Sequence, residues 1–342
     1  MATLSPAPQP NPLRIIDTFT AYQQTAALLA AVELDIFTAV GEGYTSCTAL
    51  AEKCGASVRG VRILCDYLVV DGFLTNQGAQ YGLAPDAALF LDRRSPAYLG
   101  CAGRFLGSPE LVDCFKDLAQ TVRRGGTALS QDGLISNDNP VWVEFARSMA
   151  PLIAAPAQDI ARLVEAESGR GRPIRVLDIA AGHGLFGIAF AARNPNAQVV
   201  AQDWENVLEV ARDNARKAGV EDRYTTLPGS VFDADLSGHY DVILLTNFLH
   251  HFNPTKNETL LKKVRAALNP GGRAAALEFV PNEDRISPPL PAKFSMVMLG
   301  STAEGDAYTY RELEQVFLCA GFSHCELHVL PNSPQQLVIA RT

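Results

Sequence analysis

The chain has 342 residues, 47% hydrophobic and 19% charged, the balance of a globular protein with length enough for two domains and a large core. A net charge of −8 argues against a surface that wraps nucleic-acid phosphates. Seven scattered cysteines, at 47, 54, 65, 101, 114, 319 and 325, form no C-x-x-C pair, which argues against a zinc ribbon or disulfide framework and for reduced thiols in the cytoplasm.

The Pro-rich start MATLSPAPQPNP has no charged region followed by an apolar core, so no secretory leader is expected. Membrane insertion is not expected either: TAALLAAVELDIF is broken by Glu33 and Asp35. Ile15, Ile16, Phe19, Tyr22 and Ala26, then Leu28, Leu29, Val32 and Ile36, recur at helical spacing and predict one or two helices over 13–40. Thr45-Ser46 caps a short helix, CTALAEKCG, stopped at Gly55. A second helix, SVRGVRILCDYLVVDG, leads into two extended pieces, FLTNQG and AQYGLA. This order is a winged helix-turn-helix pattern. Residues 1–100 hold six Lys/Arg against nine Asp/Glu, and the second helix offers only Arg59 and Arg62, followed by Asp66. A DNA-reading helix needs more donors on its outer face, so a packing or dimerisation module is the favoured reading and a DNA-binding regulator the alternative.

Residues 101–170 read as helical, with VWVEFARSMAPLIAAPAQDIARLVEA apolar at i, i+3 and i+4 and a kink expected at Pro151 or Pro156. The polar ESGRGRP marks a boundary. Beyond it strands and helices alternate. PIRVLDIA, AQVVAQD, RYTTLPG, YDVILLTN and RAAALEFV are strands. GLFGIAFAARNP, ENVLEVARDNARKAG, ETLLKKVRAAL (ended by NPGG) and YTYRELEQVFLCAG are helices. The pattern predicts a doubly wound, mostly parallel α/β sheet. HCELHVL and QQLVIAR, separated only by PNSP, leave no room for a crossover helix and predict a C-terminal antiparallel hairpin. The expected organisation is residues 1–103, a helical linker 104–168 and a Rossmann-like domain 169–342.

Gly182, Gly184 and Gly187 match G-x-G-x-x-G at the first strand-to-helix turn, and Asp203 ends the next strand, where it could bind ribose hydroxyls. Asp178 ends the strand four residues before the first glycine. A carboxylate there suits a cationic amino group better than the anionic pyrophosphate of a dinucleotide. A ribose, an adenine and a cationic amino-acid tail together describe S-adenosylmethionine.

On these residues the chain resembles the class I S-adenosylmethionine-dependent methyltransferases, and more narrowly the small-molecule O-methyltransferases of the plant caffeate, hydroxyindole and bacterial natural-product type. The likeness runs over nearly the whole chain. It implies that the N-terminal module makes a homodimer and that the Rossmann-like half binds S-adenosylmethionine. It implies a turn at VLDIAAGHG, with Ala180 and Ala181 where the family has glycines, that places Asp178, Gly182 and Gly184 at the cofactor. It further implies Asp203 on ribose, Trp204 beside adenine, and LPGSVFD, with Ser230, Val231 and Phe232, as the adenine loop. Asn247 joins the cofactor set. FARSM (Phe145, Met149) and PAKFSMVMLGST (Phe294, Met296, Met298, Thr302) would line a pocket for a flat, apolar acceptor.

LTNFLHHFNP puts two of six histidines where a strand stops. Read from the residues, they could be a base, a metal pair or ordinary strand-end residues. The metal reading is disfavoured because adjacent side chains diverge and no third ligand stands at helical spacing. The resemblance makes His250 the general base and Glu278 its first acidic partner. The second partner would fall at Ala307, beside Glu304 and Asp306. His251, where relatives place an acid, reads as a packing residue. The expected reaction is methyl transfer to a hydroxyl of an aromatic or polyketide-like metabolite. N- or C-methylation, another reaction on the same fold, and a ligand-responsive regulator are the alternatives.

Overall fold

The computed structural model describes residues 10–129, 133–135, 139–168, 171–331 and 333–342. The chain divides after Gly103 into two compact units.

In the first unit the predicted N-terminal helical stretch is two helices, Leu13–Glu33 and Ile36–Gly41. Ser46 and Ser57 cap Cys47–Lys53 and Val58–Val70, each side chain accepting a backbone N–H from the first turn. The strands β1 (Leu74–Gln77) and β2 (Gln80–Leu83) then pair antiparallel as a wing. Ile36, Phe37, Leu50, Leu68 and Leu74 form its core. Leu13, Ile15, Ile16, Phe19 and Tyr22 of the first helix are more than half exposed in the single chain.

The second unit is built on seven strands: β3 (Ile174–Ile179), β4 (Ala197–Asp203), β5 (Tyr224–Pro228), β6 (Tyr240–Thr246), β7 (Leu268–Glu278), β8 (His324–Val329) and β9 (Gln336–Arg341). Their order is β5-β4-β3-β6-β7-β9-β8. The first five are parallel. β9 is antiparallel to β7, and β8 to β9, so the C-terminal hairpin closes the sheet as expected. Each face is covered. One core gathers Val176, Val199 and Ile339 with Ile153, Ile160 and Val164 of the helix Ala150–Ser168. The other gathers Leu177, Ile243 and Leu277's neighbours Ala274 and Ala276 with Leu260, Leu261 and Phe317. Burial on both faces explains why these strands read as continuous apolar runs.

Two expectations change. The helical stretch 101–170 is broken among the described residues into short helices, and the turn at Met149 separates Val141–Ser148 from Ala150–Ser168. Pro151 falls in the first turn of the second of these helices, where its missing N–H costs little, and Pro156 lies inside it. The helix Pro254–Ala267 does stop ahead of NPGG, but the segment itself lies inside β7 instead of preceding it. The register with β6 shifts there, between Tyr240 and Val242, and Gly271 takes the left-handed conformation that such an irregularity needs.

Candidate active site

Strand order reverses between β3 and β6, since their outward neighbours are β4 and β7. The crevice beyond the carboxyl ends of two such strands is where an open α/β sheet takes a ligand. Every group that the sequence nominated from 178 to 278 stands at or just beyond the carboxyl ends of β3 to β7.

At the end of β3 the glycine turn is held from below and from the side. Asp178 is fully buried, and its Oδ2 accepts the Gly187 N–H at 2.9 Å. A Cβ on Gly187 would lie 2.7 Å from Val199 Cγ1, so glycine lets the helix Leu185–Arg193 sit close on the sheet. Asp203 Oδ2 accepts the Gly182 N–H at 2.8 Å, and its Oδ1 the Trp204 N–H at 2.7 Å. Gln202 joins the turn to the next loop, donating to Gly229 O at 2.5 Å. Gly184 is left-handed, and a Cβ there would collide with the Tyr224 hydroxyl and approach Ala211 Cβ to 2.9 Å. Gly182 is also left-handed but open: a Cβ would meet only Phe145 Cε1 at 3.7 Å and Ala180 O at 3.9 Å. Ala180 holds a left-handed φ of 51° without being glycine.

Electrostatics follow from burial. Desolvation pushes Asp178 up to about 7, against the pull of the Gly187 N–H and helped by the nearby Asp203 charge. It lifts Asp203 to about 6, against the Gly182 and Trp204 N–H groups. His183, within the turn, is pushed down to about 4 by burial, and its ring stacks on Phe145 with centroids 6.3 Å apart.

The predicted amino-group contact of Asp178 changes character, because its carboxylate is sealed beneath the turn and faces no open space. Trp204 precedes the helix Glu205–Lys217 and packs with Trp142, Ala146 and Val207. In the loop after β5, Ser230 Oγ accepts the Phe232 N–H at 3.3 Å and Val231 is buried. Lys263 Nζ donates to Val231 O and Phe232 O, each at 2.9 Å. Asn247 is left-handed at the end of β6, its side-chain oxygen accepting from Gln335.

The histidines occupy a 3-10 turn, Leu249–His251. His250 Nδ1 lies 2.5 Å from Glu278 Oε2, and both side chains are nearly sealed. The other oxygen of Glu278 accepts the Phe248 N–H at 3.0 Å and the Leu249 N–H at 2.8 Å. One carboxylate from β7 therefore fixes both the turn and the imidazole. With Nδ1–H donated to Glu278, the bare nitrogen is Nε2, which has no hydrogen-bonding partner among the described residues. Glu304 and Asp306 do not replace the acid missing at Ala307. Glu304 accepts from Asn253 at 2.5 Å, and Asp306 pairs with Arg285 at 3.2 Å. Ala307 is itself buried.

Around the imidazoles runs a chain of aromatic rings. Phe294 meets His250 edge-on at 4.9 Å and stacks on Phe279 at 4.1 Å. On the other side Trp142 meets His251 at 5.5 Å and Phe145 at 5.8 Å, and Phe105 meets Phe145 at 5.1 Å. Phe145 and Phe294 both belong to this chain of rings, and Met149 is half-buried at the joint between two helices. Met296 is 45% exposed, turned outward on the helix Pro289–Ser301, and Met298 is buried. Thr302 is sealed, donating to Met298 O at 2.7 Å and accepting the Gly305 N–H at 2.9 Å, so it holds the backbone and presents no open hydroxyl. Sequence reading missed Phe105, Trp142 and Phe279. Phe279 directly follows Glu278, and Trp142 shares a helix with Phe145, but lone aromatics at helical spacing look like core. No group of three or more His, Cys, Asp or Glu able to hold a metal occurs among the described residues, and no helix among them is long and apolar enough to cross a membrane.

Comparison with known proteins is consistent over the whole length. The O-methyltransferase domain family matches residues 133–323, and the O-methyltransferase dimerisation domain family matches residues 16–93. TcmO of Streptomyces glaucescens, the tetracenomycin polyketide synthesis 8-O-methyl transferase, is 26% identical over 97% of this chain and 97% of its own. Acetylserotonin O-methyltransferase of Mus musculus is 28% identical over 95% of this chain and 87% of its own. A solved structure from Nostoc punctiforme PCC 73102, assigned as an O-methyltransferase, is 50% identical, covers 98% of this chain and 100% of its own, and superposes with a TM-score of 0.94.

Proposed function

Because the chain belongs to the S-adenosylmethionine-dependent O-methyltransferases, we propose that it methylates a hydroxyl of a small aromatic or polyketide-like acceptor with His250 as general base. The observation that carries this reading is the His250–Glu278 pair at 2.5 Å, at the end of β7 and beside the glycine turn. Relatives named for polyketide, naphthoate and mitomycin methylation support the acceptor class.

The residues present fit the cofactor. The open side of Gly182 leaves room above the turn, and Asp203 stands at the end of β4 against the same glycine. Gly182, Gly184, Asp203, Trp204, the Ser230–Phe232 loop and Asn247 would hold it, with Asp178 keeping the turn in shape from beneath. When bound, S-adenosylmethionine supplies an electrophilic methyl on a sulfonium whose departure leaves a neutral thioether.

The remaining work falls to alignment and proton removal. His250 Nε2 takes the hydroxyl proton. Glu278 keeps the proton on Nδ1 beforehand and stabilises the imidazolium afterwards, in surroundings where a charge pair is strong. Phe145, Phe294 and Phe279 hold a flat ring and keep water from the nucleophile. The exposed apolar side chains Leu13, Ile15, Ile16, Phe19 and Tyr22, of which the last three fall within the dimerisation family match, support a homodimer formed through the N-terminal unit. Cys47, Cys54, Cys65, Cys114, Cys319 and Cys325 are thiols outside any disulfide, which fits a reducing cytoplasm.

The test is His250→Ala under single turnover with methyl-labelled cofactor and the best acceptor from a screen of phenols, catechols and enols. The expected loss is about 10²–10⁴-fold. Unchanged turnover would remove His250 as the base, and absence of S-adenosylmethionine binding by calorimetry would remove the cofactor assignment.

A further inference from the structure

His251, next in sequence to the proposed base, has a different environment. Its ring lies 4.4 Å from that of His250 and is flanked edge-on by Trp142 at 5.5 Å, Phe252 at 6.2 Å and Phe248 at 6.4 Å. None of these offers it a carboxylate. Its Nδ1 is sealed and has no hydrogen-bonding partner, whereas Nε2 is not among the sealed, unpartnered atoms.

Two consequences follow. Burial, with the adjacent His250 adding to it, holds the His251 conjugate acid well below the ordinary histidine range, so the ring is neutral. A neutral imidazole carries one N–H. Placing that proton on Nδ1 would bury a donor with no acceptor, which is rarer and costlier than burying a lone pair with no donor. The proton therefore resides on Nε2. His250 has the opposite arrangement, with its proton on Nδ1 at Glu278 and Nε2 bare. Side by side, the two rings offer one acceptor and one donor.

Resting on the His250 reading above, we infer that His251 is a second acceptor-contacting residue, whose Nε2–H binds an oxygen neighbouring the hydroxyl that His250 deprotonates. The acceptor then carries two adjacent oxygens, as a catechol or an ortho- or peri-hydroxy quinone does. A lone phenol would leave the His251 donor unpaired. The site discriminates against such a ring by the cost of that unpaired donor, which pure shape selection could not supply.

The test is equilibrium binding to the enzyme loaded with S-adenosylhomocysteine, read by fluorescence. The probes are alizarin, which has adjacent hydroxyls, and 2-hydroxyanthraquinone, whose hydroxyl stands alone. Wild type should bind alizarin about tenfold or more tighter. His251→Phe should bring the two affinities together, and His251→Gln, whose amide N–H reaches a similar position, should restore part of the difference. Equal affinities in wild type, or a preference that survives in His251→Phe, would overturn the inference. A preference lost equally in both variants would assign the effect to packing and overturn it as well. Binding requires no methyl transfer, so failure of the His250 base would leave this readout intact.

Discussion

Replacing Glu278 by Gln is the sharpest probe of the proposed base, because it changes charge and proton placement while keeping shape. The carboxylate makes three contacts from a sealed position: Phe248 N–H, Leu249 N–H and His250 Nδ1. The amide oxygen can keep both backbone bonds, so the turn should survive. The amide nitrogen then faces Nδ1 as a donor and forces the His250 proton onto Nε2, where it blocks the base. Restoring the productive tautomer forfeits a charge-assisted hydrogen bond worth about 1.5–3 kcal/mol. The imidazolium formed in the reaction also loses the carboxylate it pairs with, at a further cost on the order of 2 kcal/mol. At about 1.4 kcal/mol per tenfold, the sum of about 3.5–5 kcal/mol is a loss of roughly 3 × 10²–4 × 10³ in the methyl-transfer step. Single-turnover rates with labelled cofactor measure it, and calorimetry checks that cofactor binding persists. A Glu278→Gln enzyme within about tenfold of wild type would refute the tautomer argument.

Four further outcomes are expected. Asp178 and Asp203 have raised pKa values in the fold, so their contribution to stability is fully present below the ordinary carboxylate range. It is lost as pH rises through about 6 and about 7. Thermal melts of the ligand-free enzyme should therefore show stability falling across that window, and Asp178→Asn should flatten the slope. Gly184→Ala should cost several times more stability than Gly182→Ala, about 3 against about 1 kcal/mol by urea unfolding, because both are left-handed but only Gly184 is crowded, by Tyr224 and Ala211. Ala180→Gly, at a left-handed φ of 51°, should raise stability by up to about 1 kcal/mol, and a lower melting temperature would contradict the strain assigned there. Sedimentation of Phe19→Glu should show more monomer than wild type, since Phe19 is the most exposed of the large apolar side chains on the first helix.

Much of this was legible in the sequence where the chain repeats a simple physical rule. Strands buried on both faces read as apolar runs, and Asn, Gly and Ser punctuate them. The short PNSP link forces the terminal hairpin. Of the candidate site, sequence nominated Asp178 and Asp203 from strand ends beside the glycine turn, and His250 and Glu278 through the family resemblance; the fold brings the last two within 2.5 Å of each other. What could not be read was which way side chains turn. Asp178 and Thr302 lie at the expected positions yet are sealed, Met296 points outward, and Trp142 and Phe279 close the aromatic wall. Periodicity places a residue on an element but does not say what the next loop covers. For His251 the sequence shows neither the sealing of Nδ1 nor the ring neighbours on which its inferred tautomer rests.

The absent second acid at Ala307 finds its answer in the backbone. A second carboxylate would hold the histidine turn and strengthen the base. Here neutral groups share the holding of the turn with Glu278. His250 O accepts the Asp306 N–H at 3.0 Å, Phe252 O accepts the Tyr308 hydroxyl at 2.5 Å, and Asn257 Nδ2 donates to Leu249 O at 2.8 Å and Phe252 O at 3.1 Å. The 306–308 segment and Asn257 thus help Glu278 to fix the turn, while among the described residues Glu278 is the carboxylate that meets the imidazole. An acid at 307 would put a second negative group at a fully buried position, where an unpaired carboxylate is costly. Ala307→Asp should therefore lower stability by a few kcal/mol without accelerating methyl transfer, and a faster, equally stable variant would show that the single-carboxylate arrangement limits the base.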